Sequence, residues 1–392
     1  MTRVGFTLIG GGRGTGGYNY LLNLLSVLAR HEPARVSTVL FVGPDLPAGD
    51  AEPFASLAGL ELVRDPAFDR ARNSKALAAS LLLGNDKARR AAFFRYRIDV
   101  LFESAQFFGW RPGASVIAWI PDFQHRLLPH MFTRSGRLKR EIGLRAQMAA
   151  GRLVMLSSED ARTACELHYP QTRGRTTVVR FAVSPLATPS LVEARQIADS
   201  YGLPAGFFFM PNQFSKHKNH LLVIEALVIL ASRGVPICIA ASGKQADERH
   251  PDHFAEVERR IAAAGIGPSL RLLGLIPSAH LPALMRASVA LLNPSLFEGW
   301  STPVEEARAL GVPLVLSDLD VHREQAGGSA VYFDRHSAAS LAAALQSVLP
   351  LAPAEVEART ASARHETGER VRQFASEFAD LAERAVAVPS SS

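Results

Sequence analysis

The chain reads as an α/β protein of two Rossmann-like domains, and three observations predict this. Its 392 residues exceed what one hydrophobic core ordinarily organises, so two domains are expected. Short apolar runs alternate with helical patterns along the whole length, the signature of parallel sheets covered on both faces. Two strand-to-helix junctions also carry chemistry-bearing residues: the glycine-rich loop after Val4–Ile9, and the stretch Asn293 to Glu324, NPSLFEGWSTPVEEARALGVPLVLSDLDVHRE. A hydrophobic fraction of 47% with 20% charged residues describes an ordinary globular chain, neither disordered nor fibrous.

Val4 to Ile9 is a compact apolar run followed by GGGRGTGGYNYLLNLLSVLARH, whose helical part places Leu21, Leu24, Leu25 and Leu28 on one face. Strand, glycine loop and helix together offer backbone amides to an anion. Gly12-x-Gly14-x-x-Gly17 satisfies the dinucleotide fingerprint, which keeps a dinucleotide-dependent oxidoreductase as an alternative. The acid such a site requires should lie about 20 residues on, whereas Asp45 comes 28 residues after Gly17. Further strands are expected at Glu61–Val63, Val100–Glu103, Val116–Ile120, Leu153–Ser157 and Thr177–Phe181, and Ser158 should cap a helix that carries Asp160 in its first turn. The linker between domains is placed in the stretch from Pro185 through Pro189 and the polar run to Ser200, ending at Tyr201-Gly202-Leu203-Pro204, with domains 1–188 and 189–392.

The second half opens with a buried strand at Gly206–Met210 and then PNQFSKHKNHLLVIEALVIL. Lys216 and Lys218 stand at the mouth between strand and helix, where a departing diphosphate needs a cation. The helix should bury Leu221, Ile224, Leu227, Val228 and Ala231. Strands at Ile237–Ala241, Leu270–Leu273 and Val289–Leu292 follow, with a helix at Ala279–Arg286 before the last of these. Pro294 and Gly299 interrupt the chain before a helix in which Thr302 is expected to cap, Glu305 to close a capping box and Pro303 to stand at the first helical position. That helix stops at Gly311 and leads to a strand at Leu314–Ser317; Asp318-Leu319-Asp320 is the loop after it. A helix follows Ser337, and Glu355 to Ala385 is a long charged helix with Val371, Phe374, Phe378 and Leu381 on one face.

In an open α/β sheet, a strand end, a glycine-permitted loop and a helix N-terminus together mark a ligand position. The amides of Gly299, Trp300, Ser301 and Thr302 lie in or before the first helical turn, where backbone donors lack helical partners. Glu298 and Glu306 flank them, and a carboxylate facing a polyol accepts strong charge-assisted hydrogen bonds.

These residues resemble glycosyltransferase family 4, the group 1 family of retaining GT-B glycosyltransferases. The resemblance rests on Glu298 and Glu306 in loop-then-helix context, PSLFEG, Glu306-Ala307, Gly311-x-Pro313 and Glu324, and it is strongest from Phe208 to Glu324. It implies two Rossmann-like domains facing a cleft, the last helix, about residues 366–386, packing back on the first domain. It implies transfer of a hexose-type sugar from a nucleotide-sugar donor to a glycan or lipid-linked acceptor hydroxyl, with no metal or cofactor and with retention of configuration. Glu298 would contact donor sugar hydroxyls, Glu306 the ribose, and the intervening amides the sugar. Gly16 and Gly17 match the glycine pair that closes over the diphosphate, and Lys218 before Asn219 matches the family's lysine. The family's arginine is replaced here by Asn212 or Gln213, so Lys216 is expected to supply the second charge. Pro121 stands where the family has a histidine, followed by Asp122, and His125 three residues later is the candidate replacement. Asp122, His125, Glu298 and Lys218 are therefore the candidate catalytic residues. The same residues would also serve a sugar-nucleotide epimerase on this fold or a non-catalytic sugar-binding module.

Composition adds expectations about setting. Only Cys165 and Cys238 occur, which argues against a disulfide framework and for a reducing compartment. No apolar run reaches spanning length and the N-terminus lacks a signal peptide's architecture, so a cytoplasmic location is expected. The net charge of +6 is uneven: residues 1–190 carry 25 basic and 15 acidic side chains, and residues 191–392 carry 18 and 22. The basic stretches GNDKARRAAFFRYR and RSGRLKREIGLR suit peripheral contact with the anionic inner face of a membrane. No nucleic-acid module accompanies the charge, so nucleic acid is not an expected partner.

Overall fold

The computed structural model describes residues 1–8, 16–104, 106–184 and 187–387. They form two compact α/β units: the first takes residues 1–123, 134–184 and 370–392, the second residues 124–133 and 185–369. The fold class read from the sequence is the one observed.

Unit 1 contains a seven-stranded sheet, β1 (Thr2–Thr7), β2 (Val36–Val42), β3 (Leu60–Arg64), β4 (Val100–Ser104), β5 (Ser115–Trp119), β6 (Leu153–Leu156) and β7 (Thr176–Val178). The order is β3-β2-β1-β4-β5-β6-β7, and every pairing is parallel; β1 and β2 run in register from Thr2↔Val36 to Thr7↔Phe41. Parallel strands need crossover helices that cover both faces, so these strands read as continuous apolar runs. On one side Phe41 packs on Phe68 (4.9 Å between centroids) and Phe93 (5.4 Å). Elsewhere Phe378 of the helix Pro353–Ala387 meets Phe6 (6.0 Å) and Phe102 (5.7 Å). The leucines at 21, 24, 25 and 28 of the helix Gly16–His31 are all buried, as its periodicity requires. Ser158 caps the helix Glu159–His168 by accepting from the Ala161 amide at 3.0 Å.

Unit 2 repeats the plan with six parallel strands: β8 (Phe208–Met210), β9 (Ile239–Ser242), β10 (Leu270–Gly274), β11 (Leu291–Asn293), β12 (Leu314–Ser317) and β13 (Ala330–Phe333), ordered β10-β9-β8-β11-β12-β13. The run Phe207 to Met210 shows why it is apolar throughout. Phe208 and Met210 join the core formed with the helix His220–Ser232, while Phe207 and Phe209 join the core formed with Leu284, Val304 and Leu310 on the other face. The helix Thr302–Leu310 ends at Gly311, whose φ of +72° and contact with the Arg359 backbone leave no room for a side chain.

Two expectations are corrected, and one strand was not anticipated. The helix 220–232 buries Leu222, Val223, Ile224, Ala226, Leu227 and Leu230, while Val228 is exposed; a helix apolar nearly all round does not reveal its buried face by periodicity. Strand β7 stops at Val178 and does not extend to Phe181. The edge strand β13 carried no sequence expectation. Among the described residues no helix is long and apolar enough to cross a membrane.

Truncating Phe378, fully buried between Phe6 and Phe102, should cost about 3–5 kcal/mol. Chemical denaturation of Phe378→Ala would check this through a lower midpoint at unchanged m-value.

Candidate active site

In unit 2 the strand order reverses between β8 and β11, the place where open α/β sheets leave a crevice at the strand C-termini. Two asparagines close that point. Asn212, just beyond β8, donates to Asn293 Oδ1 at the end of β11 at 3.3 Å, and both are buried. Asn293 then distributes its bonds: Nδ2 donates to Ser301 Oγ (2.8 Å) and Glu298 Oε1 (3.2 Å), and Oδ1 accepts from Ser295 Oγ (2.6 Å).

Glu298 lies in the loop before the helix 302–310, its side chain only 10% exposed. Its Oε1 accepts from Lys218 Nζ (2.6 Å), Ser295 Oγ (2.7 Å) and Asn293 Nδ2. Burial alone would raise the carboxyl's pKa, but the adjacent Lys218 ammonium overcomes it and holds the group down to about 2. All three bonds fall on one oxygen, and Oε2 makes no hydrogen bond among the described residues. Lys218 is aimed by local backbone geometry: a 3₁₀ turn at Lys216–Lys218 ends in Asn219, which takes φ +61° and donates to the Arg335 carbonyl at 3.0 Å. Left-handed backbone at a non-glycine residue is uncommon and persists where surroundings fix it.

Glu306 behaves oppositely. It occupies the second turn of the helix 302–310 and makes no hydrogen bond or ion pair among the described residues. Part of the residue reaches the surface, but its carboxyl is screened enough from water that desolvation pushes it up to about 7. One glutamate is therefore committed as a charged pair, and the other is an unpartnered carboxyl.

The expected capping box is not formed. The helix begins at Thr302 with Ser301 at the cap position making no side-chain cap bond. Ser301 is instead fastened by Gln325: its amide donates to Gln325 Oε1 (3.0 Å) and its carbonyl accepts from Gln325 Nε2 (3.1 Å). The same Nε2 reaches Glu305 Oε1 (3.2 Å), and Arg308 also donates to Glu305 (2.6 Å). The Ser301 amide is thus taken by protein, which corrects the expectation of a row of ligand-facing amides at that position. Gly299 and Trp300 are half-buried in the loop and Thr302 is exposed.

Of the remaining candidates, Lys216 and Gln213 are exposed beside Lys218, and the Lys216 amide donates to Asp247 Oδ2 at 3.2 Å. In unit 1, Gly16 and Gly17 open the helix 16–31, while Gly12 and Gly14 lie outside the described residues. Asp122, also in unit 1, pairs with Arg140 at 2.6 Å. His125 is buried in the short helix Gln124–Leu127, in the segment that belongs to unit 2, where Arg249 donates to Gln124 at 3.0 Å and lies 4.8 Å over the Phe132 ring.

Two residues of the helix Asp320–Ala326 were missed by sequence reasoning: Gln325, above, and His322. The His322 Nδ1 lies 3.0 Å from the Ser317 carbonyl oxygen, so this nitrogen carries the proton and donates. Its Nε2 is buried without a hydrogen-bond partner, and burial lowers the ring's pKa despite the nearby Glu298 charge. The only available signal was their spacing beside Glu324 in a segment already singled out.

Residues 200–366 match the family model described as glycosyl transferases group 1, a span that contains Lys218, Asn293, Glu298, Glu306, His322 and Gln325. The chain carries a group 1 glycosyl transferase domain. Over 74 residues it is 34% identical to the O-antigen chain mannosyltransferase B of Escherichia coli, covering 19% of this chain and 19% of that relative. Among solved structures it is similar to a glycosyltransferase of Rickettsia africae (TM-score 0.71, 12% identity, 98% of both chains). It is also similar to HepE of Anabaena in complex with UDP and glucose (TM-score 0.71, 15% identity, 97% of this chain and 99% of that one). A third likeness is to sucrose-phosphate synthase of Thermosynechococcus elongatus (TM-score 0.63, 16% identity, 98% and 97%). At such identities the likenesses establish the fold, which is GT-B.

The two glutamates give opposite pH signatures. Glu306 holds its proton more tightly when folded, so stability falls as pH rises from its ordinary value of 4.5 to about 7. Glu306→Gln should remove that fall and exceed the parent above pH 7 by at most about 3 kcal/mol. Urea titrations at pH 5 and pH 8 would check it; an equal difference at both would contradict the assignment.

Proposed function

We propose that this protein is a retaining glycosyltransferase of family 4 type, moving a hexose-type sugar from a nucleotide sugar to a hydroxyl of a glycan or lipid-linked acceptor. One observation carries the reading: Glu298 Oε2 and the Glu306 carboxyl are two acceptors without partners among the described residues, flanking the start of one helix beside the half-buried Lys218. Two carboxyl groups so disposed suit polyol hydroxyls, and Lys218 with exposed Lys216 suits a diphosphate whose charge grows as the glycosidic bond breaks. The acceptor hydroxyl attacks the anomeric carbon from the face the diphosphate leaves, and the leaving phosphate takes the hydroxyl's proton. Neither step uses a metal ion in this reading. The complex of HepE with UDP and glucose supports a nucleotide-linked donor. On the strength of the family resemblance, roles in donor or acceptor recognition are proposed for Asp122, Gly16 and Gly17 in unit 1 and for His125 in unit 2.

Lys218→Met should lower kcat by roughly 100-fold, the scale for losing a charged group that acts on developing charge. Glu306→Ala should weaken donor binding by roughly 10- to 100-fold, the scale of a charged hydrogen bond. Both are measured as transfer from a panel of nucleotide sugars in EDTA, with the product's anomeric configuration read by NMR. Full activity in either variant, a strict metal requirement or an inverted product would each overturn the corresponding part.

We also propose that unit 1 touches an anionic membrane surface. In the basic stretch 85–97, Phe94 is 87% exposed, and on the basic helix Arg134–Ala149 Leu138 and Ile142 are exposed one turn apart. Apolar side chains set among cations are the pattern of an interfacial helix. Vesicles of phosphatidylglycerol should retain the protein at low salt and release it at high salt; equal retention on neutral vesicles would refute this.

A further inference from the structure

Unit 1 has a reversal point of its own, between β1 and β4, and it opens into a cavity of about 450 Å³. Thr7 ends β1, Val42 ends β2 and Ser104 ends β4, and all three line it. Its charged lining is Arg70, Arg89, Lys139 and a single carboxylate, Asp45, which already accepts from the Arg70 amide at 2.8 Å.

Arg89 is the informative residue. It is 6% exposed, yet its guanidinium is bound only by neutral acceptors: the Ala67 carbonyl (3.0 Å), Asn73 Oδ1 (2.7 Å) and Gln106 Oε1 (3.5 Å), with the Phe68 ring 5.4 Å away. Asp86, on the same helix end, spends one oxygen on the Arg89 amide at 2.9 Å and places the other 3.8 Å from Arg72. A buried cation ordinarily has an anion beside it, because desolvating an unpaired charge is expensive. Here no carboxylate forms an ion pair with the guanidinium among the described residues, and the nearest negative charge, Asp86, acts on it only at longer range and is shared with Arg72, at a place in the fold where ligands bind. Two further cations line the same space, exposed Lys139 and exposed Arg70, the latter in a long ion pair of 3.9 Å with Asp50, and Arg89 is held in a fixed fork suited to bidentate recognition.

We infer that this cavity binds the phosphate group of an organic phosphate. On the glycosyl-transfer reading, this compound is the acceptor; the inference rests on that reading for the ligand's role and not for its binding.

The test is calorimetric titration of the full chain, without any nucleotide sugar, with glycerol 3-phosphate, inorganic phosphate, glucuronate and glycerol. Saturable binding of glycerol 3-phosphate is expected, tighter than inorganic phosphate and absent for glycerol. The double variant Arg70→Gln, Lys139→Gln changes only exposed side chains and should weaken it roughly tenfold or more. Arg89→Met should weaken it at least as much, and Arg162→Gln, outside the cavity, should leave it unchanged. No saturable binding, or binding indifferent to the double variant, would overturn the site; glucuronate binding as tightly as glycerol 3-phosphate would overturn the phosphate assignment. Because no transfer is measured, loss of the glycosyltransferase reading would leave a positive result standing.

Discussion

The candidate site depends on one interaction, the largely buried pair of Lys218 and Glu298 at 2.6 Å. Removing two charges from water costs several kcal/mol per ion, and a pair withstands this only with good geometry and further hydrogen bonds. Both conditions are met: Asn293 and Ser295 supply additional donors to the same oxygen, and the left-handed Asn219 fixes where the lysine points. The consequence is directional. Because Lys218, Ser295 and Asn293 converge on Oε1, the second oxygen is left without a hydrogen bond among the described residues. The pair orients a carboxylate as much as it neutralises one, and its low pKa keeps that carboxylate charged across the physiological range.

Around this satisfied centre stand groups that are not satisfied. Glu306 has no cation, and His322 has a buried ring nitrogen without a donor. Buried polar groups are otherwise nearly always paired, and exceptions concentrate where a ligand completes them. The scaffold beside them is firm: Gln325 spans both the amide and the carbonyl of Ser301 and reaches Glu305. Rigid support for unpartnered acceptors is the arrangement that preorganised recognition requires.

The alternation of strands and helices was legible because apolar runs of the right length recur between breakers, and Glu298 and Lys218 drew notice as charged residues at strand-to-helix junctions, which the structure brings together at 2.6 Å. What the sequence hid was tertiary. Glu305 fits a capping box by its letters, yet Gln325 lies 24 residues away along the chain and takes the Ser301 amide; no local pattern announces a partner at that separation. His322 hides for a different reason: its partner Ser317 is only five residues away, but a histidine that donates to a strand-end carbonyl leaves no periodic or capping pattern in the sequence. In the helix 220–232, LLVIEALVIL offers apolar residues on every side, so packing chose the face that periodicity could not. Strand β13 is four residues on a sheet edge, too short for an alternation signal.

The two sheets share one strand order, yet their reversal points have been given opposite chemistry. In unit 2 the crevice at β8 and β11 presents an asparagine pair and acids, which suits hydroxyl-rich ligands. In unit 1 the cavity at β1, β2 and β4 presents three cations against one carboxylate already engaged by an amide. The excess of basic over acidic side chains in residues 1–190 is therefore not only a surface property, because Arg89 carries part of it into the interior. A duplicated topology fixes where a ligand can bind but not which ligand; here the charge set at each strand end makes that choice.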